Sequence, residues 1–154
     1  MASPLKDRIQ ADLTEAIRAQ DSTTVSTLRL VLTAITRAET AGTEHAELDD
    51  DAVLGVIGAE VKRRVEAAAT YADAGRTDRA EAERAEQAVL ERYLPAALSD
   101  DELTAVVAEE VAAARAAGHA GKAATGVVIK AVRARAGAGT DGRRIAEAVQ
   151  AALG

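Results

Sequence analysis

In residues Glu60–Pro95, EVKRRVEAAATYADAGRTDRAEAERAEQAVLERYLP, two helix-forming runs meet at Ala74-Gly75-Arg76. Glycine takes the left-handed backbone conformation that ends a helix, and Thr77 or Asp78 is placed to cap the next one. The stretch therefore predicts a long helical hairpin. Pro95 lacks an N–H and disfavours helical dihedrals at Leu94, so the second arm should stop just before it. The chain's two tyrosines, Tyr71 and Tyr93, lie inside the hairpin; both are expected to pack, with their hydroxyls at the rim.

Toward the N-terminus, Ser3-Pro4 reads as a cap with proline at the first helical position, and Leu5, Ile9, Leu13, Ala16 and Ile17 carry a helix through Gln20. A second helix with Val25, Leu28, Leu32 and Ile35 on one stripe should reach Gly42. The carboxylates Asp49-Asp50-Asp51 suit a helix start, and a third helix with Leu54, Ile57, Val61, Val65 and Ala68 inward should run to Ala74. In the fourth, about Asp78 to Tyr93, the apolar positions are Ala82, Ala85, Val89 and Leu94.

Beyond Pro95, Ser99 with Glu102 forms a capping box, which opens a fifth helix with Leu103, Val106, Val107 and Val111 that ends at Gly118. A sixth, Lys122 to Ala136, carries Val127, Val128, Ile129 and Val132, and a last one has Ile145, Val149 and Leu153 on one face. The expected fold is all-α: an N-terminal helical domain (1–95) containing the long hairpin, and a small C-terminal three-helix domain (96–154).

The totals limit the function. The 154 residues include no cysteine, phenylalanine or tryptophan, which excludes thiolate catalysis and cysteine-based metal sites and leaves no aromatic platform for stacking bases. No apolar run resembles a signal peptide or a membrane span, so a cytoplasmic protein without membrane association is expected. The net charge is −6, but residues 1–110 hold 12 basic and 23 acidic side chains while the remainder holds seven basic against Asp141 and Glu147. A basic tail on an acidic body points any nucleic-acid contact to the tail.

The ordered set Glu60, Lys62, Arg64, Tyr71, Ala74-Gly75-Arg76, Asp78, Glu83, Glu86 and Tyr93-Leu94-Pro95, followed by Leu98-Ser99 and Glu102, resembles the YqeY family. This family is related to the tail of the GatB component of glutamyl-tRNA amidotransferase. Gly126 to Lys130 and Asp141-Gly142 extend the resemblance nearly end to end, although Val and Ile replace methionines near Gly126, and Gly139 stands where a basic residue is usual. The resemblance implies a link to tRNA-dependent amidation, with tRNA as a partner of the tail module through Lys122, Lys130, Arg133, Arg135, Arg143 and Arg144. It implies that Lys62, Arg64, Tyr71, Gly75, Arg76, Glu83, Glu86, Tyr93 and Pro95 form the family motif, read here as structural.

The family label also carries a glutamine-dependent carbon–nitrogen ligase, but the residues offer no nucleophile for it. The serines Ser3, Ser22, Ser26 and Ser99 mostly sit where helices start. His45 and His119 lie in turns without metal-ligand spacing, so neither a metal nor another cofactor is expected. Lys62, Arg63 and Arg64 could pair across the hairpin with Glu83, Glu86 and Glu91, or contact RNA or protein; Val61 and Val65 should face inward with Lys62 and Arg64 on the flanks. Three readings follow: a non-catalytic accessory protein that binds tRNA, a protein–protein adaptor without RNA contact, and an amidotransferase-type enzyme acting alone.

Overall fold

Short polar side chains start five of the helices. Ser3, Asp21, Asp49, Ser99 and Asp141 each accept a hydrogen bond from a backbone N–H of the first turn, satisfying donors that have no partner within the helix. In the computed structural model, which describes residues 3–154, these caps introduce α1 (Pro4–Arg18), α2 (Ser22–Glu39), α3 (Asp50–Asp73), α5 (Asp100–Ala116) and α7 (Gly142–Leu153). The other two helices, α4 (Thr77–Glu91) and α6 (Gly121–Ala136), begin without a side-chain cap. Neither Thr77 nor Asp78 caps α4: Arg76 holds the cap position. Among the described residues there are seven helices and no strand.

Several ends are shorter than the pattern predicts. α1 stops at Arg18, with Gln20 in the left-handed region at φ 55°, and α2 stops at Glu39, ahead of Gly42. α4 ends at Glu91; Tyr93 and Leu94 follow in tighter turns, their N–H groups bonded to the carbonyls of Leu90 and Glu91. Gly75, at φ 74°, makes the expected reversal between α3 and α4.

The contacts divide the chain into two compact units, one ending at Leu94 and the other running Pro95–Gly154, so Pro95 belongs with the second. In the first, Ile9 of α1, Leu28, Val31 and Ile35 of α2, Val53 and Ile57 of α3, and Val89, Leu90 and Tyr93 share one core. α3 and α4 make the most extensive helix pair. In the second, α5, α6 and α7 pack on one another around Leu103, Val107, Val111, Val128, Val132, Ile145 and Val149.

Three buried faces differ from the apolar stripes. On α3 the buried row is Val53, Ile57, Glu60, Arg64 and Ala68, whereas Val65 is 46 % exposed. α2 buries Thr24, Thr27 and Glu39 beside Leu28, Val31 and Ile35, leaving Leu32 half-covered. On α4, Ala80, Val89 and Leu90 are buried and Ala82 and Ala85 are not. On α2 and α3 the physical reason is that polar groups can occupy a buried row when satisfied there. The Thr27 hydroxyl donates to the Thr23 carbonyl at 2.7 Å, and Lys6 Nζ meets the Glu39 carboxylate at 2.8 Å. A hydrophobicity stripe counts such residues as outward and so rotates the helix. Val127 of α6, expected in the core, is 40 % exposed.

The start of the first unit is fastened by one carboxylate. Ser3 Oγ donates to Asp50 Oδ1, which also accepts from the N–H of Leu5, so a carboxylate in the first turn of α3 also meets the start of α1, where both helix dipoles favour it.

Candidate nucleic-acid interface

The C-terminal unit holds seven basic and seven acidic side chains, so it has no net charge. The charges are largely separated by helix, Arg115 on α5 and Glu147 on α7 being the exceptions. Asp100, Asp101, Glu102, Glu109 and Glu110 are on α5, and the six candidate cations are on α6 and α7.

Those six fall into two groups. Arg135 lies 2.7 Å from Glu109 and 3.1 Å from Glu110 of α5, and these carboxylates raise its already high pKa, Glu109 foremost. Arg144 Nη2 donates to the Leu98 carbonyl and to Asp100 Oδ1, both at 2.9 Å. These two guanidiniums therefore act inside the unit. Among the described residues, Lys122, Lys130, Arg133 and Arg143 form no ion pair, and all four side chains are exposed. Lys122, Lys130 and Arg133 follow one another at eight- and three-residue steps along one face of α6. The guanidinium of Arg133 leans over the start of α7, with its Nη2 3.0 Å from where a Cβ on Gly142 would be.

The turn between α6 and α7 is built for packing. Thr140 is buried and its Oγ1 accepts the N–H of Leu98 at 3.0 Å. Gly139 lies directly on the Pro95 carbonyl. With the Arg144–Leu98 bond, these contacts hold residues 95–98 against the turn. A basic side chain at position 139 has no room, which accounts physically for the glycine there.

In the hairpin, the side chain of Arg64 is only 7 % exposed and lies between two carboxylates: Glu60 Oε2 at 2.7 Å on its own helix and Glu86 Oε2 at 3.3 Å on α4. The second contact runs from Nε and is within ion-pair range without being aligned for a hydrogen bond. Arg64 thus occupies the inward position expected for Val65. Arg63 meets Glu60 at 3.4 Å from outside. Lys62 is exposed, Glu83 is half-buried, and Glu91 accepts from Gln87 rather than from the basic triplet. Arg76 pairs with Asp78 at 3.7 Å on the surface. The Arg79 guanidinium sits 5.9 Å from the ring centre of half-buried Tyr71. Tyr93 is buried; its hydroxyl donates to Asp12 Oδ2 at 2.6 Å and Arg8 covers its ring at 5.0 Å. Burial, and next the Asp12 carboxylate, raise the pKa of this hydroxyl.

Nothing in these surroundings resembles an activated nucleophile. A shallow depression on α2 is lined by Leu32, Thr33, Thr36, Arg37 and Thr40, but Thr33 and Thr40 spend their hydroxyl protons on carbonyls of their own helix. Among the described residues, no three His, Asp or Glu side chains gather where they could hold a metal ion. Among the same residues, no helix is long and apolar enough to cross a membrane.

Asp12 and Arg8 carry no expectation from the sequence, and the burial of Glu60 was not expected. Glu60, Asp12 and Arg8 surround the motif residues, and the four-residue spacing of Glu60 to Arg64 and Arg8 to Asp12 was the available signal. Gly126 is exposed in the middle of α6, and a Cβ built on it would meet nothing within 4 Å.

Comparison with known proteins agrees with the motif. The sequence model of the family described as Yqey-like protein matches residues 6–153. The chain is also similar to altered inheritance of mitochondria protein 41, mitochondrial, of Meyerozyma guilliermondii: 33 % identical over 86 residues, 56 % of this chain and 44 % of that protein. The match thus spans under half the length of that relative.

Proposed function

The chain belongs to the YqeY family, and we propose that it is a non-catalytic helical accessory protein of tRNA-dependent amidation whose C-terminal module binds tRNA. The observation that carries this reading is the division among the cations: Lys122, Lys130, Arg133 and Arg143 have no acidic partner among the described residues, while Arg135 and Arg144 are engaged internally. Unpaired cations along one helix and the start of the next suit a polyanion, because each phosphate they neutralise releases condensed counterions. The contact surface is accordingly narrower than the six basic residues of the tail. The motif residues Lys62, Arg64, Tyr71, Gly75, Arg76, Glu83, Glu86, Tyr93 and Pro95 are assigned to building the scaffold, with the two units divided between Leu94 and Pro95 acting as separate domains in a cysteine-free, cytoplasmic protein.

Retention of tRNA at low and moderate salt tests the proposal. With four phosphate contacts, log affinity against log salt should have a slope of roughly −3 to −4, and neutralising the four unpaired cations should flatten it. Absence of tRNA binding at low salt, or binding unaffected by that neutralisation, rejects the reading.

A second reading is a protein–protein adaptor, favoured by Ile17 and Leu30, which are 49 % and 52 % exposed on the acidic first unit. Partners retained after RNase treatment would support it, since RNA-mediated partners are lost.

A further inference from the structure

α6 carries a glycine for which the fold gives no reason. A Cβ built on Gly126 meets nothing within 4 Å, and its φ is not in the left-handed region. Glycine in a helix interior costs stability relative to alanine because it loses more backbone freedom on folding. Gly55 of α3 is equally open, so an exposed glycine by itself signifies little. The difference lies in the neighbours. Gly126 has Lys122 four residues before it and Lys130 four after, with Arg133 next along the same face, all exposed and without ion pairs among the described residues. The steps are about 6 Å along the axis. Long cationic side chains therefore stand at either end of a strip of bare helix backbone.

The chemistry of this unit narrows the partner. Both tyrosines lie in the first unit and there is no phenylalanine or tryptophan, so for stacking on unpaired bases the C-terminal unit offers no large aromatic ring, only His119 and its guanidiniums. It can engage a sugar–phosphate backbone by charge and shape, the mode that suits folded, base-paired RNA. Resting on the tRNA-binding reading above, we infer that the Lys122–Gly126–Lys130–Arg133 face of α6 is the contact surface for base-paired RNA, and that the helix lies closest to the RNA backbone at Gly126. The missing side chain lets the two backbones approach while the flanking cations reach phosphates on either side.

The test uses the full chain, an unmodified tRNA and an unstructured RNA strand of equal length, with Gly126→Ala, Gly126→Leu and the control Gly55→Ala. Both alanine variants should raise the thermal midpoint by about 3 °C, the gain expected from removing a helix-interior glycine in a chain of this size. Only the Gly126 variants should lose tRNA affinity. The loss for leucine should be about tenfold, equivalent to one charged hydrogen bond held out of range. Wild type should prefer tRNA over the unstructured strand. Because Gly126→Ala should be more stable yet bind less, misfolding cannot account for that pattern. If wild type binds tRNA and both Gly126 variants bind equally well, the inference falls and the broader reading stands. If wild type retains no tRNA, both fall. Preference for the unstructured strand, or a Gly126→Leu defect confined to an RNase-resistant protein partner, overturns the assignment to base-paired RNA.

Discussion

The carbonyl oxygen of Pro95 occupies the space that a side chain on Gly139 would need: a Cβ there would lie 1.9 Å from it, and 2.9 Å from the Pro95 carbonyl carbon. Backbone cannot swing aside as a flexible side chain can. Gly139→Ala should therefore cost about 2–3 kcal/mol through overpacking, read as a lower denaturant midpoint. Gly139→Lys should be no less destabilising, and Ala138→Lys, at an exposed neighbour, should leave stability within about 0.5 kcal/mol of wild type.

Arg64 neutralises two carboxylates in the hairpin, so its removal should be worse than removal of the whole group. Arg64→Ala leaves Glu60 and Glu86 facing each other with little solvent and should cost about 3–5 kcal/mol in urea unfolding. The triple variant Glu60→Leu, Arg64→Met, Glu86→Gln should recover most of that loss, because it removes the buried charges together with their desolvation penalty. A triple variant as unstable as the single one would mean that the ion pairs themselves hold the hairpin.

Tyr93 should make the first unit sensitive to alkali. Its hydroxyl pKa is raised above the ordinary 10.0, first by burial and then by the hydrogen bond to Asp12. The fold thus favours the neutral phenol, whose contribution is complete below pH 10 and is lost as pH rises above it. Urea midpoints at about pH 8 and about pH 11 should fall less in Tyr93→Phe than in wild type. At neutral pH that variant should lose about 1.5 kcal/mol, the contribution of a hydrogen bond to a charged acceptor.

Glu39 has the opposite sign. The hydrogen bond from Lys6, aided by the N–H of Leu48, holds its carboxyl below the ordinary 4.5 despite burial. A depressed carboxyl contributes stability that is present above about pH 4.5 and lost as pH falls through its folded value. Glu39→Gln should flatten the acid limb of the stability curve below that pH. Lys6→Met should cost about 3 kcal/mol at pH 7, because the Glu39 side chain, 2 % exposed, would keep its charge without the ammonium.

The helical hairpin, the chain reversal at Gly75 and most helix starts were legible because they depend on local chemistry: a glycine that takes φ 74° and short side chains that cap. Rotation of the helices was less legible. A hydrophobic stripe cannot reveal that Glu60, Arg64 and Glu39 point inward, since burial of each depends on a partner chosen by tertiary packing. Of the candidate interface, the six cations were visible as a run of charge. Their separation into paired Arg135 and Arg144 and unpaired Lys122, Lys130, Arg133 and Arg143 was not, because Glu109, Glu110 and Asp100 come from a different helix.

Five acids against Arg115 on α5, and six bases against Glu147 on α6 and α7, give the C-terminal unit the character of an electric dipole without a monopole. A monopole draws a polyanion toward the protein from any direction; a dipole first exerts a torque. Its field decays faster with distance and is screened beyond about 10 Å at ~0.1 M salt. Such a unit gathers little RNA from afar, but it is turned at close range so that α5 faces away from the negative surface. Orientation, more than capture, is what this arrangement of charge supplies.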